Sequence, residues 1–368
     1  MSKLRVGLLF GGRSVEHEVS VSSAGSIFRA LDPARYEVHL VAIDQEGRWH
    51  LAPPALPPQQ SLGSGLHSGR EVRLPAVPGP AMLLPVGGGD ARPVAELDVI
   101  FPIVHGRGGE DGSLQGLLEL AGVAYVGSGV LGSALQMDKE VSKRLLVAAG
   151  LPVLPWRLVR ATDLAQAPQS VVGRLLDELE LPVFVKPANL GSSVGIHRVA
   201  QRDELLPALQ DALRYDPKVL VEKGIPARDV EVALLGDDPV EASVPGEIRT
   251  RREWYDYEAK YVDEATELLV PAPISEALAR ALRDTAIQAY TALEGRGFAR
   301  VDFLVDRATE AFYVNELNSL PGFTDVSMYP RMWEASGLPY PALLDRLIEL
   351  ALESHRQRAA LETQYKTR

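Results

Sequence analysis

Cysteine is absent from this 368-residue chain. Disulfides, thiolate metal sites and thiol nucleophiles are excluded with it. No run approaches the roughly eighteen consecutive apolar residues that a membrane-spanning helix needs. Positive charge is in deficit: 38 Lys and Arg face 49 Asp and Glu, a formal net charge of −11. That balance argues against bulk affinity for nucleic acid, although a local basic cleft can still hold phosphates. The start, Met1-Ser2-Lys3-Leu4-Arg5, passes straight into a strand-like run with no signal-like leader. A cytoplasmic location is therefore expected. The remaining composition, 46% hydrophobic and 24% charged, is that of a globular chain long enough for two or three domains.

Three units are expected. The first covers residues 1–127. Arg5–Phe10 reads as a strand that ends in Gly11-Gly12 and is followed by a helical pattern from about Ser20 to Leu31. Tyr36–Ile43 and Asp98–Val104 read as further strands, so a parallel sheet is predicted. Residues 52–93 are rich in Pro, Gly and Ser and read as an insertion of short strands or loops. A helix is expected near Gly112–Leu120. The second unit, 128–223, opens with a helix at Lys139–Ala149 stopped by Gly150 and Pro152. It continues with two antiparallel strands, Pro182–Pro187 and Gly195–Val199, joined by a glycine-serine loop, and a strand at Val219–Lys223. The third unit, 224–368, holds strands at Val230–Leu235 and Val240–Pro245, a long polar loop, a helix at Ser275–Leu293, an acidic hairpin and a C-terminal helix.

That hairpin carries the sharpest chemistry. Arg300-Val301-Asp302-Phe303 and Asn315-Glu316-Leu317-Asn318 flank a turn at Asp306–Glu310. Folding there sets Asp302 opposite Glu316, and Glu316 and Asn318, two apart, share a face. Two carboxylates and an amide suit Mg²⁺, which takes few protein ligands and shares its shell with substrate phosphates. Asn189–Gly195 contains Gly191-Ser192-Ser193, whose backbone N–H groups and hydroxyls can surround phosphate oxygens. Lys186 ends an apolar strand, where a lysine is costly to bury without an anion. Lys139 heads a helix, where the dipole does not favour a cation, so another duty is indicated. Glu222-Lys223-Gly224-Ile225 leaves a strand and could offer backbone groups to adenine, with a carboxylate for ribose. Neither a GxxxxGK[ST] nor a GxGxxG motif occurs.

Taken in order, several motifs carry a family resemblance. They are Gly11–Ser20, His105-Gly106-Arg107-Gly108-Gly109-Glu110-Asp111-Gly112, Lys186-Pro187, Gly191–Gly195, Tyr255-Asp256-Tyr257-Glu258-Ala259-Lys260-Tyr261, Arg300–Phe303 and Asn315–Thr324. Together they closely resemble the D-alanine–D-alanine ligases, ATP-grasp enzymes of peptidoglycan precursor synthesis, over nearly the whole chain. The resemblance implies an α/β (α+β) fold of three domains, with an N-terminal Rossmann-like parallel-sheet domain and ATP between the two later ones. It implies a cytoplasmic homodimer that uses ATP and two Mg²⁺ ions, with Mn²⁺ able to substitute and K⁺ often stimulating. Nucleic-acid and membrane partners are not expected.

Residue by residue, the resemblance assigns Asp302, Glu316 and Asn318 as metal ligands. Lys139, Lys186, Ser192, Ser193 and Lys260 would meet phosphates. Glu222, Lys223, Ile225 and Asp229 would meet adenosine, although the family more usually has Glu at the last position. Glu16 would hold the first D-alanine's ammonium. Arg300 and the backbone of Gly322 would stabilise the oxyanion. His105, Ser327 and Met328 would meet the second substrate, and Glu16, Ser192 and Tyr261 would tie a lid at about 247–266 to the first domain. The Tyr at the end of Tyr255–Tyr261 favours D-alanine over D-lactate as acceptor. A D-alanine–D-lactate ligase, another carboxylate–amine ligase of the same fold and a non-catalytic nucleotide binder are the alternatives.

Overall fold

The run Leu4–Gly11 forms strand β1 and pairs in parallel with β2 (Tyr36–Ile43) and β7 (Val99–Ile103). All three are buried over most of their length, as strands covered on both faces must be. The computed structural model describes residues 2–52, 69–87, 92–249 and 266–362. Helix α1 (His17–Ala30) crosses from β1 to β2 and begins before the expected Ser20. Its N-cap, Glu16, makes no side-chain cap because its carboxylate accepts from Ser192 instead. Ser20 Oγ accepts from Gly11 N at 2.7 Å and donates to Ile103 O, joining the ends of β1 and β7. Gly11 has φ +90°, and a Cβ there would stand 2.3 Å from Ile43 O, so the turn that exposes Glu16 requires glycine.

The prediction of a parallel sheet holds for these three strands only. The sheet has seven strands, and four of them, β3 (Trp49–Leu51), β4 (Arg70–Arg73), β5 (Ala81–Pro85) and β6 (Ala95–Leu97), extend it by antiparallel pairing. The Pro/Gly/Ser-rich stretch thus contributes strands to the main sheet through hairpins. Helix α2 (Ser113–Ala121) covers one face with Leu114 and Leu118.

Helices α3 (Val130–Met137) and α4 (Lys139–Ala148) come next. Asp138 caps α4 by accepting from Glu140 N and Val141 N, each at 3.1 Å. A four-stranded antiparallel sheet follows, in the order β10-β9-β11-β8. It contains β8 (Trp156–Arg160), β9 (Val183–Pro187), β10 (His197–Val199) and β11 (Lys218–Lys223). Its core packs Val159, Val185 and Val221 against α6 (Pro168–Glu178) and α7 (Arg202–Ala212), with the short α5 (Ala161–Gln166) leading in.

The third sheet runs β15-β14-β12-β16-β17, with β13 beside β12. Its strands are β12 (Ala227–Leu235), β13 (Glu241–Ala242), β14 (Gly246–Arg249), β15 (Glu267–Leu269), β16 (Phe298–Asp306) and β17 (Phe312–Asn318). Helix α8 (Glu276–Ala292), capped by Ser275, packs on it through Leu278, Leu282 and Ala286. Leu146 of α4 joins this core, so α4 is packed with the third sheet although it precedes the second in sequence. The C-terminal region forms two helices, α9 (Met328–Ala335) and α10 (Tyr340–Ala359). Leu343, Leu347 and Ile348 of α10 share a core with Val6, Phe101 and Phe298, which docks the chain's end on the first sheet.

Candidate active site

β16 and β17 form the expected hairpin. Asp302 stands opposite Glu316 and Arg300 opposite Asn318, with a register shift between Asp302 and Phe303. On the other side of β16, Glu231 of β12 is in register with Asp302. Three carboxylates therefore lie in one row across three strands, and two cations compensate them. Arg300 forks Asp302 with Nε at 2.6 Å and Nη2 at 2.7 Å, and its Nε also reaches Glu231 Oε2 at 3.1 Å. Lys139 Nζ lies 3.2 Å from Glu316 Oε2. Asn318 Nδ2 donates to Asp302 Oδ2 at 2.9 Å, which spares its carbonyl oxygen. Among the described residues no group of three or more His, Cys, Asp or Glu is placed to hold a metal. A set of two carboxylates and one amide oxygen is the smaller donor set Mg²⁺ accepts when phosphates supply the rest, and the residues fit that use.

The glycine-serine loop is held from both sides. Ser192 and Ser193 have φ of 50° and 57°, a consecutive left-handed pair at the turn of the loop. Ser192 Oγ donates to Glu16 Oε1, and Lys139 Nζ donates to Leu190 O at 2.9 Å. A Cβ on Gly191 would stand 2.9 Å from Glu16 Oε2, so glycine lets the carboxylate approach. Behind the loop, Lys186 Nζ donates to Glu222 Oε2 at 2.6 Å and to Asn315 Oδ1 at 3.1 Å. Burial alone would lower the Lys186 pKa, but the charges of Glu222, Glu316 and Asp229 outweigh it and raise it, so this lysine stays an ammonium.

A cavity of about 650 Å³ brings together Glu16, His105, Lys139, Ser192, Ser193, Arg300, Glu316, Asn318, Gly322, Ser327 and Met328. Asp302 lies just behind it, bonded to Arg300 and Asn318. Lys186, Glu222, Lys223, Ile225 and Asp229 do not line this cavity. The Lys223 side chain points away, donating to Glu180 Oε2 at 2.7 Å, and its backbone N–H is taken by Pro155 O. The sequence reading of Lys223 as a nucleotide contact is thereby left to its carbonyl alone. Glu222 is 1% exposed and its two oxygens are held by Lys143 and Lys186. Lys260, Tyr261 and most of the expected lid lie outside the described residues.

Near Glu16 the cavity is edged by the chain after β17. His105 Nδ1 lies 3.1 Å from Leu320 O, which makes Nδ1 the protonated nitrogen and Nε2 the acceptor. Burial lowers the His105 pKa, so the ring is neutral. Among the described residues, His105 Nε2 and Glu16 Oε2 are buried atoms without a hydrogen-bond partner. Ser327 Oγ accepts from Thr324 N at 3.1 Å and lies 2.7 Å from Thr324 Oγ1, closing the turn that follows Gly322.

Three residues of this region escaped the sequence reading: Glu110, Glu231 and Lys143. Glu110 lines the cavity and accepts from Gly106 N. Burial, and then the charge of Glu16, push its carboxyl up to about 8. Its place in the His105–Gly112 motif was the available signal. Between the ordinary value of 4.5 and about 8, the folded state keeps a proton that the unfolded chain releases. Stability contributed by this group is therefore lost as pH rises through that window. Glu110→Gln should flatten the fall in melting temperature toward pH 8 and melt above the parent there. Circular dichroism melts at several pH values check this; a variant-to-parent difference independent of pH would refute the titration of Glu110.

The three sheets and the row of carboxylates beside a glycine-serine loop define an ATP-grasp enzyme. The family model described as "D-ala D-ala ligase N-terminus" matches residues 5–128, and the one described as "D-ala D-ala ligase C-terminus" matches residues 145–349. A D-alanine–D-alanine ligase A from Bradyrhizobium diazoefficiens is 50% identical over 379 residues, covering 99% of each chain. The structure of the D-alanine–D-alanine ligase from Coxiella burnetii superposes with a TM-score of 0.83 at 38% identity, covering 98% of this chain and 97% of that one. A D-Ala:D-Ser ligase from Enterococcus faecalis superposes with a TM-score of 0.85 at 30% identity, covering 95% and 100%. The chain belongs to the D-alanine–D-alanine ligase family.

Proposed function

We propose that this chain joins two D-alanine molecules into D-alanyl-D-alanine with hydrolysis of ATP to ADP and phosphate, supplying a peptidoglycan precursor. One observation carries the reading. Among the described residues, the buried acceptors without partners that line the cavity include Glu16 Oε2 and His105 Nε2, beside the glycine-serine loop and the carboxylate row. The first amino acid's ammonium satisfies Glu16 Oε2 and leaves its carboxylate to face the nucleotide, while His105 Nε2 is open to the second substrate. The curated relatives' names agree with this substrate.

In the first step a carboxylate oxygen of the first D-alanine attacks the γ-phosphorus and ADP leaves, giving an acyl phosphate. Lys139, Lys186 and the N–H groups at Ser192 and Ser193 hold the phosphates and offset the charge of the transferring group. Asp302, Glu316 and Asn318 would hold two Mg²⁺ ions, or Mn²⁺, which when bound neutralise the phosphate oxygens. In the second step the neutral amine of the second D-alanine attacks the acyl carbon, the nitrogen loses its proton, and phosphate departs. Arg300 and Gly322 N–H stabilise the oxyanion. Ser327 and Met328 meet the acceptor's carboxylate. The backbone of the segment 222–225 and the Asp229 side chain receive the adenosine, with the Glu222 carboxylate held by its two lysines, while Lys260 and Tyr261 close over the site.

The division at 127 and 223 into substrate, nucleotide and metal-bearing units, a homodimer, stimulation by K⁺ and a cytoplasmic setting complete the reading. Among the described residues no helix is long and apolar enough to cross a membrane. ADP release should appear with D-alanine and stay near background with L-alanine, D-serine and D-lactate offered singly. A coupled ADP assay with chromatography of the product checks this, and release with D-lactate present but no dipeptide would overturn the acceptor assignment.

A further inference from the structure

Lys143 has no place in the mechanism above, yet its side chain is almost wholly withdrawn from solvent, at 1% exposed. It lies one turn beyond Lys139 on the same side of α4. Its ammonium contacts Glu222 Oε1, while Glu222 Oε2 accepts from Lys186 Nζ at 2.6 Å. A single buried carboxylate is thus shared by two ammonium groups. Taking each ion out of water costs several kcal/mol, and an apolar residue of the same size would avoid that cost. Simple stability therefore gives a poor account of a lysine at this position.

The partners come from different cores. α4 sends Leu146 into the core of the third sheet, whereas β11, which carries Glu222, sends Val219 and Val221 into the core of the second. Lys186 on β9 also reaches back to Asn315 on β17. The series Lys143, Glu222, Lys186, Asn315 therefore crosses the junction between the two sheets twice. Helix geometry relates Lys143 rigidly to Lys139, which faces the cavity.

We propose that Lys143 is a positioning residue for the nucleotide: by holding one oxygen of Glu222 it leaves the other to aim Lys186, and so sets the spacing between the two phosphate-binding lysines, Lys139 and Lys186. Lys143 itself touches no substrate. The inference rests on the ATP-dependent reading above and identifies a residue that acts through Glu222.

The test is a double-mutant cycle on the full chain with Lys143→Met, Glu222→Gln and both together, and with Lys143→Arg as the conservative variant. ADP release on adding D-alanine to the parent enzyme reports on the functional reading separately. Lys143→Met should raise KM for ATP by about 10-fold or more, the range that outer-shell partners show at metal sites. KM for D-alanine should stay within about 2-fold, and Lys143→Arg should recover part of the ATP affinity. The double variant should be no worse for ATP than Glu222→Gln, because the two residues act as one unit. An unchanged KM for ATP with only a lower melting temperature would overturn the proposal, as would additive effects in the double variant. Should Lys143→Met fail to fold, the double variant decides: with the lysine charge and its carboxylate removed together, a parental KM for ATP overturns it.

Discussion

Arg300→Ala is expected to slow dipeptide formation by about 10²–10³-fold, the range seen when one oxyanion donor is lost. The substitution also disturbs the ground state. Arg300 is the cation that forks Asp302 and contacts Glu231, which is 3% exposed. Removing one partner of a buried pair typically costs about 3–5 kcal/mol, so the melting temperature should fall as well. Arg300→Lys separates the two effects. Lysine keeps the charge but cannot reproduce the planar fork on Asp302. Its melting temperature should recover most of the loss while turnover stays low. Stopped assays of D-alanyl-D-alanine beside thermal melts provide the comparison, and near-parental turnover in Arg300→Lys would remove Arg300 from the chemistry.

Glu316→Gln should have an effect of similar size through a different parameter. The amide is isosteric but a poorer ligand for a hard cation, and Lys139, now 3.2 Å from Glu316 Oε2, loses its counter-charge. A metal contributes several kcal/mol of charge stabilisation in such a site, so turnover should fall roughly 10²-fold or more. The Mg²⁺ concentration for half-activation should rise, and Mn²⁺ titrated in the presence of a non-hydrolysable ATP analogue should bind more weakly by electron paramagnetic resonance. Unaltered Mn²⁺ binding would exclude Glu316 as a ligand.

Much of the site is legible along the chain because its parts are local. The 302–316 pairing follows from two short runs and a turn between them, and a period of two fixes which side chains share a face. Gly11 announces itself because few residues tolerate its backbone angle, and the 191–195 loop through its run of glycine and serine, although its left-handed turn falls on the two serines. The expected parallel sheet was right where apolar runs are continuous, at β1, β2 and β7. It was incomplete where strands are three to five residues long and embedded in Pro and Gly, as in β3 to β6.

What the sequence determined by itself is the inventory: an acidic hairpin, a phosphate loop, two candidate lysines and the order in which they appear. Tertiary structure alone decided which charges share a partner. Glu231 meets Arg300 because β12 and β16 pair, and Lys143 meets Glu222 because two separately built cores come into contact. Periodicity fixes the direction of a side chain within its own element. The neighbour it finds across a junction depends on how apolar faces formed far apart in the chain pack together, and that packing leaves no local mark.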